Sequence, residues 1–271
     1  MLTNNPFAEL ASSISPGVMK WFVLLMILCV IGGTLFDVIH KKSAKYFFAT
    51  AKKSAENATQ PIEGGKGALA LKTIASDVLT SSEFCNQHRR IAHLLGMYGF
   101  VFFVIATLVL VFGQSDGGFW GFIWHFSAWM ICVGGYWFWF FIRVDVAAEG
   151  NSPFRIVRAD MFILSLLGMA TFGLLWSFAQ GTAIGWMFFG LFLLSTILLF
   201  GGVPWSKFAH MFFKPAAAYQ KKIAMANGSA MNLPTITRDD PEQQKRHSMS
   251  LLVDAPMDMG LGIKREAPRH H

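Results

Sequence analysis

Five mostly apolar stretches, near residues 18–39, 91–113, 119–142, 160–179 and 183–206, set the terms for the rest of this chain. Each is about as long as the roughly 20 residues a helix needs to cross a bilayer. Inside hydrocarbon, every backbone N–H and C=O must be paired within its own segment, so helices are the expected form. Only 14% of the 271 residues are charged, against about a quarter in soluble domains, which is too few to give five such helices a water-facing shell. The expected fold class is an all-α integral membrane protein, a five-transmembrane-helix bundle. The segment before the first span, MLTNNPFAELASSISPG, has no basic n-region, and no small-residue cleavage site comes after the span. That span is therefore expected to be retained and not cleaved as a signal peptide.

The basic residues orient the bundle. Of the 23 Lys and Arg residues, 22 fall in 40–90, in 143–158 or after 206, and Lys20 is the exception. The positive-inside rule then puts the N-terminus outside and the C-terminus in the cytoplasm of a bacterial inner membrane. Trp21, Trp120, Trp124 and Trp186 fall at the outer level and are expected to form an aromatic belt there.

The chain divides into three regions: an outside segment 1–17, a membrane domain 18–220, and a cytoplasmic partner-binding tail 221–271. Within the domain, 40–90 is too long for a turn. Ala44, Phe47, Phe48, Ala51 and Ala55 recur at helical spacing, with Lys45, Lys52 and Lys53 on other faces. After the break EGGKG, Leu71, Ile74, Ala75 and Val78 mark a second amphipathic helix. Such helices suit a membrane surface or the seat of a soluble partner. AAAYQKKIAMANG reads as a short helix past Pro215, and the tail beyond carries an apolar island, LLVDAPMDMGLGI, suited to ordering on a partner.

Several chemistries are unsupported. Cys29, Cys85 and Cys132 stand far apart, with no CxxC for zinc or an iron–sulfur cluster and no CxxCH for covalent haem. The net charge of +7 comes from residues flanking apolar segments, which suits anionic lipid or an acidic protein partner and not nucleic acid. Asp37, Asp116, Asp145 and Asp160 sit at span ends and form no mid-membrane proton path.

Two histidines carry the functional reading. His93, in HRRIAHLLGMYGF, is about one turn into the second span, and His210, in FGGVPWSKFAHMFFKP, is near the inner end of the fifth. These spans are antiparallel, so both imidazoles fall near the cytoplasmic boundary, at the common depth bis-imidazole ligation of haem b requires. On the second span Gly96, Met97 and Phe100 share the face of His93 and offer a haem wall. Arg89, Arg90 and Lys207 could pair with propionates, although positive-inside flanks need no such role. Pro204, after Gly201 and Gly202, is expected to bend the segment that carries His210. The plain alternative for either histidine is an interfacial side chain bonded to a headgroup or a carbonyl. His125, deeper in the third span, either hydrogen-bonds a quinone carbonyl or satisfies a bundle neighbour, and the second reading is preferred. His40 and His88 read as solvated, and His247, His270 and His271 as tail residues without a metal-site pattern.

Through these two motifs, its span number and its orientation, the chain resembles a family of five-helix haem b membrane subunits over about residues 15–220. That family includes the nitrate reductase gamma subunit, the membrane subunit of heterodisulfide reductase, the membrane part of the Qmo C subunit, and the AprM-type anchors of dissimilatory adenylylsulfate reductase. Short length without a fused iron–sulfur domain fits the last group. The resemblance implies electron exchange between a quinone pool and a cytoplasmic iron–sulfur flavoenzyme, here the two adenylylsulfate reductase subunits, with His93 and His210 as ligands of the haem nearer the cytoplasm. Two-haem members need a second ligand pair deeper in the bilayer, where this chain has Phe103 and Phe192, so one haem b is expected. Without that relay, a quinone site near the inner side is as consistent as one near His125.

The expected role is thus a non-catalytic electron-transfer subunit and membrane anchor, in which the cofactors carry the chemistry and the protein holds them. A purely structural anchor without haem fits every feature except the matched histidines. A transporter or channel fits least, because no pair of broken helices and no mid-membrane charge pair marks a substrate path.

Overall fold

The computed structural model describes residues 2–40, 43–82, 84, 86–113, 118–144, 152–206, 208, 210–231 and 233. Cys85, Asp116, Asp145, Lys207, His247, His270, His271 and the LLVDAPMDMGLGI island lie outside them. The described chain is all-α: α1 Pro6–Leu10, α2 Pro16–His40, α3 Ser43–Glu56, α4 Gly65–Thr73, α5 Gln87–Phe112, α6 Phe119–Trp137, α7 Met161–Phe178, α8 Ala183–Gly201 and α9 His210–Ala226. Short π-helical stretches extend α4 over Ile74–Leu79 and α6 over Phe138–Ile142. Five helices, of 25, 26, 24, 18 and 19 residues, are long and apolar enough to cross a membrane: α2, α5, α6 with its π extension, α7 and α8. Their outward faces stay apolar, as Leu28, Phe126, Phe141 and Leu194 illustrate.

Two compact units divide the chain, one of Met1–Phe48 with Ile74–Ala217 and one of Ala49–Thr73 with Ala218–His271. In the first, α5 and α6 pack backbone to backbone. A Cβ on Gly99 would meet the Ser127 carbonyl oxygen at 2.9 Å, and one on Gly134 would meet that of Ala92 at 2.7 Å. Small residues admit such an approach where no water drives helices together.

The N-terminal segment folds into the bundle. Asn5 caps α1 by accepting from the Phe7 N–H at 3.0 Å and donates to the Leu110 carbonyl at 3.4 Å, while Gln180 donates to that of Pro6 at 2.7 Å. The Phe7 ring then sits edge-on to Trp124 and Trp176, with centroids 5.9 and 5.6 Å away. Trp124 is a correction to the expected aromatic belt: it is 0% exposed and its Nε1–H donates to Thr107 Oγ1 at 3.1 Å. Depth along a helix does not determine which way a side chain faces, and Trp124, Ala128 and Ile131 form the buried stripe of α6. Trp21 and Trp186 do face outward.

α5 begins a turn earlier than its apolar run, because the Asn86 side chain accepts from the His88 and Arg89 N–H groups at 2.9 and 3.2 Å. The fifth span is shorter than expected. α8 ends at Gly201, and turn bonds from the Trp205 and Ser206 N–H groups to the Gly202 carbonyl, at 3.0 and 2.9 Å, replace the helix around Pro204.

In the second unit the end of α3 joins the end of α9. Asn227 Nδ2 donates to the Ser54 carbonyl at 2.9 Å, Ser54 Oγ meets Ser229 Oγ at 2.9 Å, and the Thr59 N–H donates to the Asn227 carbonyl at 2.9 Å. The expected helix past Pro215 is present, with Pro215 inside it.

Candidate functional site

His93 lies on the exposed part of the first two turns of α5, and the segment after α4 folds against it. The π-helical turn ends at Leu79, and three contacts pin Leu79, Thr80 and Ser81 to α5. Tyr98 Oη donates to the Leu79 carbonyl at 2.7 Å, Arg90 Nε donates to that of Thr80 at 2.7 Å, and Ser81 Oγ lies 3.1 Å from His93 Nδ1. The Phe84 ring adds a tilted contact to the imidazole, centroid to centroid 4.9 Å. Ser81 is 1% exposed and has φ of 48°. A non-glycine residue in that left-handed region costs about 1–2 kcal/mol, which the surrounding clamp must offset.

The other expected wall residues divide. Phe100 is buried, Met97 is half-buried, and a Cβ on Gly96 would meet nothing within 4 Å. Arg89 and Arg90 are half-buried, and Arg90 spends its Nε–H on the Thr80 carbonyl. Lys207 is outside the described residues.

His210 is not on the fifth span, which corrects the expected placement. The helix breaks after Gly201 and His210 opens a separate helix, α9. Its side chain lies outside the described residues; two positions earlier the chain is held by Phe208. The Phe208 ring is 3% exposed and packs on Phe100, Phe162 and Phe200 at 6.0, 5.8 and 5.9 Å between centroids. Phe100 is seven residues beyond His93, two turns and about 10 Å along the same face of α5.

Beyond Phe100 this face enters a cleft of about 470 Å³ between α2, α5 and α8. Phe100, Val104, Thr107 and Val111 form its α5 wall, and Phe208 and Met211 are at the end leading to His210. No polar surface lines it, since the Thr107 and Thr196 hydroxyls donate back to the Phe103 and Phe192 carbonyls at 2.8 and 2.7 Å. Phe103 and Phe192 stand in the wall as phenyl rings against Trp124 and Trp176, at 4.9 and 5.6 Å.

His125 belongs elsewhere. It is 0% exposed, with Nδ1 2.7 Å from the Gly121 carbonyl and Nε2 2.7 Å from Ser177 Oγ. A carbonyl only accepts, so Nδ1 carries the proton and Nε2 accepts from the serine. Both ring nitrogens are taken up within the bundle, as a link between α6 and α7 and not as a contact left open to a quinone carbonyl. His40 stacks on Phe36 and His88 leans on Trp137, with centroids 5.2 and 5.7 Å apart.

Two features were not anticipated from the sequence. Ser81 sits in a polar run, TSSEF, where nothing distinguishes one serine from its neighbour. Arg143 and Asp160, the first charges beyond α6 and before α7, form an ion pair of 2.6 Å with the guanidinium 1% exposed. Arg143 also donates to the Ser152 and Arg155 carbonyls at 2.8 and 2.6 Å and lies over the Trp139 ring. Their matching depths were the available signal.

Among the described residues, no three His, Cys, Asp or Glu side chains gather to hold a metal ion. A haem asks less of the protein, two axial imidazoles and an apolar slot. On the α5 side the residues fit: an imidazole steadied through its second nitrogen, an open backbone at Gly96 and an aromatic wall at Phe100. No family model, no curated protein and no solved structure matches the chain.

Proposed function

We propose that this chain is the membrane anchor and electron-transfer subunit of an oxidoreductase, holding one haem b between His93 and His210. The single observation that carries this reading is the Phe208–Phe100 contact, which ties the start of the His210 helix to the helix face that bears His93. When bound, haem b supplies a one-electron carrier. His93 is held at the Nδ1 side by Ser81, the arrangement that orients a metal-ligating imidazole and raises its basicity. Phe100, Phe200 and Phe208 would keep water from the inner end of the slot, and Arg89, Arg90 and Lys207 would be the residues available to pair with propionates.

The same reading gives the cleft to the isoprenoid tail of a quinone. Its volume lies within the roughly 300–1,000 Å³ of small-molecule pockets, and its wall makes no demand for hydrogen bonds. The quinone head must then find its donors at an end of the cleft, and the Phe208–Met211 end leads toward the histidines.

The N-terminus is outside and the basic connections are cytoplasmic, in a bacterial inner membrane, by the distribution of Lys and Arg. The partners are cytoplasmic iron–sulfur and flavin subunits, those of adenylylsulfate reductase by resemblance to the AprM-type anchors, and they dock on the inner connections and tail. Purified protein is expected to show a Soret band and a sharp α-band on dithionite reduction. A colourless, folded preparation that does not take up added haemin supports the second reading, a structural anchor for a soluble complex, for which the Ser54–Asn227 junction would serve as a docking platform.

A further inference from the structure

We infer that Ser81 is a positioning residue for His93, holding the imidazole through Nδ1 and so setting how the ring is presented to haem iron. This rests on the haem reading, and it deepens that reading by naming the residue that sets the ligand's orientation and strength. Two anchoring contacts bring Ser81 to the ring. The Tyr98 hydroxyl holds the Leu79 carbonyl at 2.7 Å, the Arg90 guanidinium holds that of Thr80 at 2.7 Å, and the next residue delivers its hydroxyl to Nδ1 at 3.1 Å. Both anchoring side chains come from α5 itself, so the clamp and the histidine move as one piece.

The backbone adds a second line of argument. Ser81 is buried and has φ of 48°, a conformation serine adopts only where its surroundings over-determine it. Glycine would occupy that turn without strain. A serine there supplies what glycine lacks, a hydroxyl within reach of the ring. Phe84 packs against the same imidazole and limits its rotation. With iron on the other ring nitrogen, Nδ1 would carry the proton and the Ser81 hydroxyl would accept from it, which would make the imidazole a stronger donor and favour the ferric state.

The test uses the full chain in nanodiscs, with S81G as the principal variant, because glycine suits the left-handed turn and removes the hydroxyl together with its Cβ. In protein carrying ¹⁵N-labelled histidine and no haem, the wild type should show a His93 Nδ1 signal set by its bond to Ser81. S81G should shift that signal and leave His125 unchanged. With haem loaded, S81G should keep the Soret band but raise the midpoint potential, lowering the ferric-to-ferrous ratio at fixed potential about three- to tenfold. Y98F, which loosens the clamp and keeps the hydroxyl, should give a smaller shift of the same sign. A His93 Nδ1 signal and a potential that both ignore S81G would overturn the inference. A colourless wild type that keeps the Ser81-dependent His93 signal overturns the haem reading alone and leaves the positioning contact standing.

Discussion

The ring of Phe208 meets that of Phe100 edge-on, with centroids 6.0 Å apart and planes at 82°. Phe208 comes after a helix break and Phe100 lies mid-helix, so this pair fixes where a chain leaving α8 returns to α5. It also links the two histidines, one two residues beyond Phe208 and the other two turns before Phe100.

Replacing Phe208 by alanine removes that link. The loss of a buried phenyl ring costs about 3–5 kcal/mol, and the His210 segment loses its hold on α5. The expected outcome is a lower unfolding midpoint together with loss of the Soret band. Phe208→Leu should retain most of both.

Asp160→Asn leaves the guanidinium of Arg143 buried without its carboxylate, which costs about 3–5 kcal/mol. Arg143→Met, which removes the charge and keeps the bulk, should cost less, although it gives up the Trp139 stacking. Equilibrium unfolding in mixed micelles orders the two variants.

His125→Ala is expected to leave the visible spectrum and quinone reduction unchanged. It breaks the buried links to Gly121 and Ser177 and should lower stability by about 1–3 kcal/mol. Reduced quinone turnover at unchanged stability would contradict the structural role.

Asn227→Ala removes the donors that hold the Ser54 carbonyl and hydroxyl. The junction weakens by about 1–2 kcal/mol, and amide exchange at Thr59 and Gln60 should accelerate roughly tenfold or more.

The five spans were legible because hydrocarbon imposes length and apolarity on each segment, independent of its neighbours. A disturbance at Pro204 was legible for a similarly local reason, since proline lacks the N–H a helix requires, but it read as a bend within the span and not as the end of the helix at Gly201. Features set by neighbouring helices were not. Trp124 reads as a belt residue from its depth and is buried because α5 and α7 flank its stripe. His125 reads as a bundle contact over a quinone ligand, but its partner, Ser177, lies 52 residues later and could not be named. The helix end at Asn86 was hidden because a polar cap extends α5 past its apolar run, and Ser81 was hidden because its role depends on Tyr98 and Arg90 clamping the preceding carbonyls. At the site, the face of His93, Met97 and Phe100 was readable from helical periodicity. The separate helix of His210 was not, since an apolar run does not mark where its backbone turns.

The proposed ligation of one iron by His93 and His210 from opposite sides has its own signature in the electron paramagnetic resonance of the oxidised, full-length protein. The expected spectrum is a single low-spin ferric signal of the bis-imidazole type, at one haem per chain, that is lost in both His93→Ala and His210→Ala. A signal that survives either substitution, or its absence from folded wild-type protein supplied with haemin, would contradict it.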